Sequence, residues 1–247
     1  MPRTSSKTAR KTDLIHAALD SIAKRGLMET TITHIAKGAG MSRGIINFYF
    51  TSKEMMQRET LKFLIDEYES IWEAALQEAG EDGRRRLAAL VQVHFDKKLC
   101  SARRLNVMSA FWGHAATQAS YRNQLEAADL KFETALTEAL AHLNGSSLEE
   151  ARRHARQLHA LIRGLWLAFM LNPQAVAREA LAAECFSFVD RLSGAPVRVI
   201  APASLSVVAA EKPERPKAEK KIRPAAAKKK TEAPAQMDIE DLFAVRR

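Results

Sequence analysis

Apolar residues recur at i, i+3 and i+4 along most of the chain, the spacing of an amphipathic helix, and polar or glycine-rich breaks divide that pattern. The first run begins at Thr12 and places Leu14, Ile15, Ala18, Leu19 and Ile22 on one face, ending where Gly26 can serve as a left-handed C-cap. Residues 31–50 hold two short helices split at Gly40. Thr51 and Glu54 have capping-box spacing and open a long helix to about Gln77, with Leu61, Leu64, Ile65, Tyr68, Ile71, Trp72 and Leu76 in register. Beyond Gly80 and Gly83, helical segments follow at about 84–99, 102–118 and 121–143. Ser147 and Glu150 form a second capping-box pair ahead of a helix to about Leu171, and a last segment covers about 174–192. No stretch alternates with period two between hairpin turns. The pattern predicts an all-α protein of about nine helices.

Composition divides the chain further. Residues 1–11 are polar and basic and are expected to form a flexible arm; residues 193–247, rich in Lys, Pro and Ala, are expected to be a disordered tail. Residues 237–245 regain helical spacing within it, as a frayed end or as a peptide that folds on a partner. Charge is uneven. Residues 1–62 carry 11 Lys and Arg against 5 Asp and Glu, residues 63–192 carry 15 against 17, and residues 193–247 carry 12 against 7. Basic ends around a near-neutral middle suit a polyanion at the ends, or only a solvated surface. The two cysteines, Cys100 and Cys185, imply neither a disulfide framework nor a zinc site, and His154 and His159 are spaced five apart, off a shared helix face. No signal-peptide pattern and no uncharged run long enough to span a membrane is present, so the chain reads as cytoplasmic. No nucleophile elbow, phosphate loop or metalloprotease motif is found, which speaks against an enzyme, and no cofactor is implied.

The segment 31–50 carries the sharpest signal. A helix-turn-helix needs a small residue at the crossing, here Ala36, and a residue tolerant of positive φ in the turn, here Gly40. Ile35, Ala39, Met41, Ile46 and Tyr49 are spaced to fill the wedge, and Ser42 is a good N-cap for the second helix. That leaves Arg43 for a guanine edge or phosphate, Asn47 for an adenine edge, and Gly44 for close backbone approach. Phe48 lies on the same helix, Thr31, Thr33 and Tyr49 offer hydroxyls to phosphates, and Lys53 adds a charge.

Those residues, with Gly26, Thr31-Ile32, Ile35-Ala36, Ala39-Gly40, Ser42–Gly44, Tyr49-Phe50 and Lys53, resemble the TetR family of one-component regulators over residues 12–60. Further on, His94–Asp96, Ser109–Trp112, Tyr121-Arg122 and Leu161–Leu167 are similar to the sensor domain of that family's choline-responsive repressors of glycine betaine synthesis. The resemblance implies a DNA-binding domain at 12–60 and a ligand-binding and dimerisation domain at 61–192. It also implies a homodimer through 147–171 and 174–192, a double-stranded operator, and release by a small inducer. A choline-like inducer would seek aromatic faces with a carboxylate nearby. Candidates are Phe111, Trp112, Tyr121 and Trp166, with Asp96, Glu126 or Asp129 for charge; the same aromatics also suit an ordinary core. A regulator of another pathway, such as efflux, lipid or nitrogen metabolism, with a different ligand, is the alternative.

Overall fold

The computed structural model describes residues 3–144 and 147–193, and among these every regular element is helical. The nine described helices are α1 (Arg3–Arg25), α2 (Ile32–Ala39), α3 (Arg43–Tyr49), α4 (Lys53–Ala79), α5 (Gly83–Val93), α6 (Ala102–Ala115), α7 (Ala119–Asn144), α8 (Leu148–Leu171) and α9 (Arg178–Ser193).

Local signals fix most boundaries. Thr31 caps α2 by accepting from the His34 N–H, and Gly40 ends it at φ 65°, bonding back to the Ala36 and Lys37 carbonyls. Ser42 caps α3 by accepting from the Ile45 N–H. Both halves of the Ser147–Glu150 capping box are made at the start of α8.

Four expectations shift. The expected basic arm at 1–11 is helical from Arg3, because polar side chains there find long-range partners that periodicity cannot show: Lys11 pairs with Glu59 at 2.6 Å and Lys7 lies over the Phe48 ring. The α4 cap is Ser52, accepting from the Met55 N–H, rather than Thr51, whose hydroxyl turns to the Met55 sulfur. α5 stops at Val93, where successive turns run through Phe95 and Asp96 instead of continuing to 99. α9 begins at Arg178, after a turn in which the Ala175 N–H bonds the Asn172 carbonyl. Of the expected tail at 193–247, residues 194–247 lie outside the described residues.

The helices bury two apolar clusters. One gathers α1, α2 and α3 through Leu14, Ala18, Ile22, Ile35, Ile46 and Phe50, closed by Met56, Leu61 and Leu64 of α4. The other joins α4 to α5, α7, α8 and α9 through Trp72, Leu87, Leu90, Phe132, Leu136, Leu158, Ile162 and Val189. α4 runs through both. So does α6, which gives Leu105 to the second cluster and Val107 and Phe111 to the first. The boundary expected at residue 60 is therefore a shared layer, since Tyr121, Leu125 and Ala128 of α7 also pack with the N-terminal cluster.

Candidate DNA-binding surface and ligand cavity

On α3 the apolar side is spent inward: Ile46 is fully buried and Phe50 nearly so, while Ile45 and Tyr49 are half-buried. Arg43, Gly44, Asn47 and Phe48 face solvent together, and Phe48 is 70% exposed. Leaving a large aromatic in water costs apolar solvation unless a partner covers it. Lys7 lies 5.2 Å from its ring centroid, and Tyr49 meets it edge-on. Thr31 and Thr33 are exposed at the start of α2, with Thr31 using only its oxygen for the cap. The surface thus brings together Thr31, Thr33, Ser42, Arg43, Gly44, Asn47, Phe48 and Tyr49. Lys53 differs. Its ammonium donates to the Met28 carbonyl at 2.6 Å, clipping the α1–α2 loop to α4, with two protons left for an outside acceptor.

A narrow cavity, partly open to solvent, lies between α4, α6, α7 and α8. Its walls include Tyr68, Trp112 and Trp166, with Arg104, Asp129, His159 and Arg163 as the charged or titratable members. Trp112 and Trp166 are sequence candidates that the fold brings together here, and so is Asp129. Phe111 and Tyr121 are not part of these walls. They meet edge-on at 5.3 Å inside the N-terminal cluster, because α6 turns Phe111 toward α1 and α4. Asp96 sits on the exposed turn after α5, accepting from the Lys98 N–H, and Glu126 is exposed; neither lines the cavity.

Several functional candidates come from tertiary contacts alone. The Tyr68 hydroxyl bonds His94 Nε2 at 2.9 Å, and His94 Nδ1 meets the Leu90 carbonyl. A carbonyl only accepts, so Nδ1 carries the proton and Nε2 accepts from Tyr68. Burial holds the His94 pKa down to about 3, so the imidazole is neutral, and the same burial pushes the Tyr68 hydroxyl well above its usual range. The Trp166 indole N–H donates to the His94 carbonyl at 2.8 Å. Tyr68 and Trp166 therefore line the cavity with His94 packed behind them, the three rings 5.3–6.3 Å apart.

The rest of the polar lining is ionic. Arg163 pairs with Asp129 and stands 5.4 Å from the Trp112 ring centroid. His159 Nδ1 donates to Glu133 at 3.0 Å, and burial lowers its pKa, keeping it neutral at pH 7. Arg104 pairs with Glu67 and donates to the Leu64 carbonyl, fastening α6 to α4. Of these residues the sequence marks Asp129 as a charge candidate and Arg163 only within the Leu161–Leu167 resemblance, and it gives no signal for Arg104. A second polar chain runs toward the DNA-binding half: Tyr121 donates to Gln57, which donates to the Leu27 carbonyl of the α1–α2 loop. Among the described residues, no group of three or more His, Cys, Asp or Glu could hold a metal, and no helix is long and apolar enough to cross a membrane.

The profile of bacterial regulatory proteins of the tetR family matches residues 14–60, and that of the C-terminal domain of BetI-type transcriptional repressors matches residues 83–194. The chain belongs to the TetR family. Its C-terminal domain is BetI-type, and the protein is a DNA-binding transcriptional regulator rather than an enzyme. It is 28% identical over 192 residues to the HTH-type transcriptional regulator BetI of Pectobacterium carotovorum, covering 77% of this chain and 97% of that one. A transcriptional regulator from Rhodococcus sp. superposes with TM-score 0.65 at 28% identity, covering 78% of this chain and 99% of that one. A regulator from Saccharomonospora viridis, solved in complex with choline, shares the fold with TM-score 0.63 at 19% identity, covering 74% of this chain and 96% of that one. TetR regulators bind DNA as dimers and take small-molecule ligands.

Proposed function

We propose that this TetR-family protein is a dimeric repressor, bound to a pseudo-palindromic operator until a small quaternary-ammonium ligand of the choline type occupies the α4–α6–α7–α8 cavity, and that it controls glycine betaine synthesis from choline. One observation carries the reading: Trp112 lines that cavity with Tyr68, Trp166 and Asp129, while its helix, α6, also supplies Val107 and Phe111 to the core of the DNA-binding half. A ligand that moves α6 therefore acts on both. A quaternary ammonium cannot donate hydrogen bonds, and aromatic faces with one carboxylate match it. The choline bound by the Saccharomonospora viridis regulator supports the same class.

DNA contact is assigned to Arg43, Gly44, Asn47 and Phe48 for bases and to Thr31, Thr33, Ser42, Tyr49 and Lys53 for the backbone. The dimer is assigned to α8 and α9. Ala160, Gly164, Leu167, Ala168 and Leu171 form an exposed stripe on α8, and Ala180 and Ala183 lie exposed on α9. Small residues let helices approach closely, and a twofold pair would set two α3 helices on half-sites about 34 Å or a multiple apart. Arg104 and Arg163 among the lining favour the rival reading of a different pathway whose ligand bears an anionic group.

The test is to select preferred duplexes from a random pool, then titrate choline into the complex. Choline is expected to release the selected duplex and to raise the melting temperature of the free protein. If choline does neither while another metabolite class does both, the choline reading is wrong.

A further inference from the structure

The aromatic faces of the cavity suit a cation, but its lining carboxylate is not free to meet one. Asp129 is already neutralised by Arg163, whose guanidinium also covers the Trp112 face. His159 cannot substitute for it: its Nε2 is 3.8 Å from Asp129, but burial keeps the ring neutral and its proton goes to Glu133. The place a ligand ammonium would take, over Trp112 and against Asp129, is therefore held by the protein's own cation.

Displacement has a charge consequence. A ligand carrying only an ammonium would take Asp129 and leave Arg163 without a counter-charge in a half-buried setting. A ligand carrying only a carboxylate would take Arg163 and strand Asp129. A ligand carrying both can enter between them and exchange one ion pair for two, and bidentate carboxylate binding is what a guanidinium does best. Two further features point to an acceptor on the ligand. Arg104 lines the same cavity, its side chain only 12% exposed. The buried Trp112 indole N–H has no hydrogen-bond partner among the described residues, a costly state for a donor unless an acceptor joins it.

We infer that the cavity takes a small zwitterion, a quaternary ammonium carrying a carboxylate one or two carbons away, inserted between Asp129 and Arg163. The ammonium lies against Tyr68, Trp112, Trp166 and Asp129, and the carboxylate takes the Arg163 guanidinium. This rests on the quaternary-ammonium reading above and narrows it, making Arg163 the residue that selects the carboxylate. Binding parts Arg163 from Trp112, and so loosens α8 from α6.

Isothermal titration of the full-length dimer with three isosteric probes decides it: glycine betaine, choline, and 3,3-dimethylbutyrate, which keeps the carboxylate but lacks the cation. Glycine betaine is expected to bind at least about tenfold more tightly than either of the others, a difference of about 1.4 kcal/mol. Arg163→Met, at a side chain 37% exposed, is expected to fold with native helix content, to lose the preference for betaine, and to keep or improve choline binding. Arg163→Lys, which keeps the charge without the fork, is expected to fall between them. Choline binding as tightly as betaine to the native protein overturns the zwitterion while leaving the quaternary-ammonium reading standing. So does a betaine preference unchanged in Arg163→Met. Failure of both betaine and choline to bind overturns both readings.

Discussion

The two clusters of this molecule treat polar groups in opposite ways. In the DNA-binding half, buried polar groups are satisfied by one another or by backbone, as with Ser21 and Thr30 at 3.2 Å, while Arg43, Asn47 and Phe48 stand exposed on α3. In the sensor half the chemistry lies inside. Tyr68, His94, Trp166, Asp129 and Arg163 are mutually paired across helices far apart in sequence. An outward surface awaits a large polyanion that brings its own partners. A paired inward one could admit a ligand only by exchange, so binding there would rearrange helix contacts.

The largest expected effect falls on the inner network. Phe132 is fully buried and touches Tyr68, Trp72, His94 and His159 by ring contacts, so Phe132→Ala should cost ~3–5 kcal/mol in urea unfolding. Because α4 and α6 run through both clusters, the two halves should still unfold together. Separate transitions seen by probes in each half would break the idea of a shared layer.

Next in size is the α8 face. A Cβ added at Gly164 meets nothing within 4 Å in one protomer, so Gly164→Leu should leave the fold intact yet weaken dimerisation by ~1–3 kcal/mol through overpacking. Sedimentation at several concentrations measures this. An unchanged monomer–dimer equilibrium would place the interface elsewhere.

His94 gives a pH signature that the outer surface lacks. Its pKa is depressed from the ordinary 6.5 to about 3, so below pH 6.5 the unfolded chain binds a proton that the folded chain refuses. Stability is full above about pH 6.5 and falls as the pH drops toward 3, at up to ~1.4 kcal/mol per unit from this one group. His94→Gln should flatten that part of the profile relative to the native protein. Equal slopes for both would show that His94 is not the buried neutral group described.

Lys53 gives the smallest effect. Free of other ties it would lower the salt slope of DNA binding by about one unit when changed to Ala. Since its ammonium clips the Met28 carbonyl, Lys53→Ala should also loosen the α1–α2 loop, seen as faster amide exchange at Met28 and Glu29.

What the sequence revealed follows the same division. The helix-turn-helix was legible because its demands are local: Thr31 and Ser42 cap within three residues, Gly40 takes its positive φ within the turn, and Ile35 and Ile46 keep period. Helix count and the Ser147–Glu150 box were legible for the same reason. The cavity was half-legible. Trp112 and Trp166 could be named as aromatics of the right kind, but which aromatics share a space depends on how α6 rotates between two cores, and that sent Phe111 and Tyr121 to the other side. The Trp166–His94 bond joins residues 72 apart, and Arg163–Asp129 joins residues 34 apart, distances at which spacing carries no information. The helical start at Arg3 was hidden likewise, since Lys7 and Lys11 find their partners on α3 and α4.

The central claim is that α3 reads DNA through its exposed face. Fluorescence anisotropy on a duplex selected by the native protein, compared with a scrambled duplex at matched salt, tests it most directly in Arg43→Ala and Asn47→Ala. Each variant should lose ~1–3 kcal/mol of preference for the selected duplex per lost base contact while its weak binding to the scrambled one persists. Full preference retained by both variants would contradict the assignment of α3 as the reading helix.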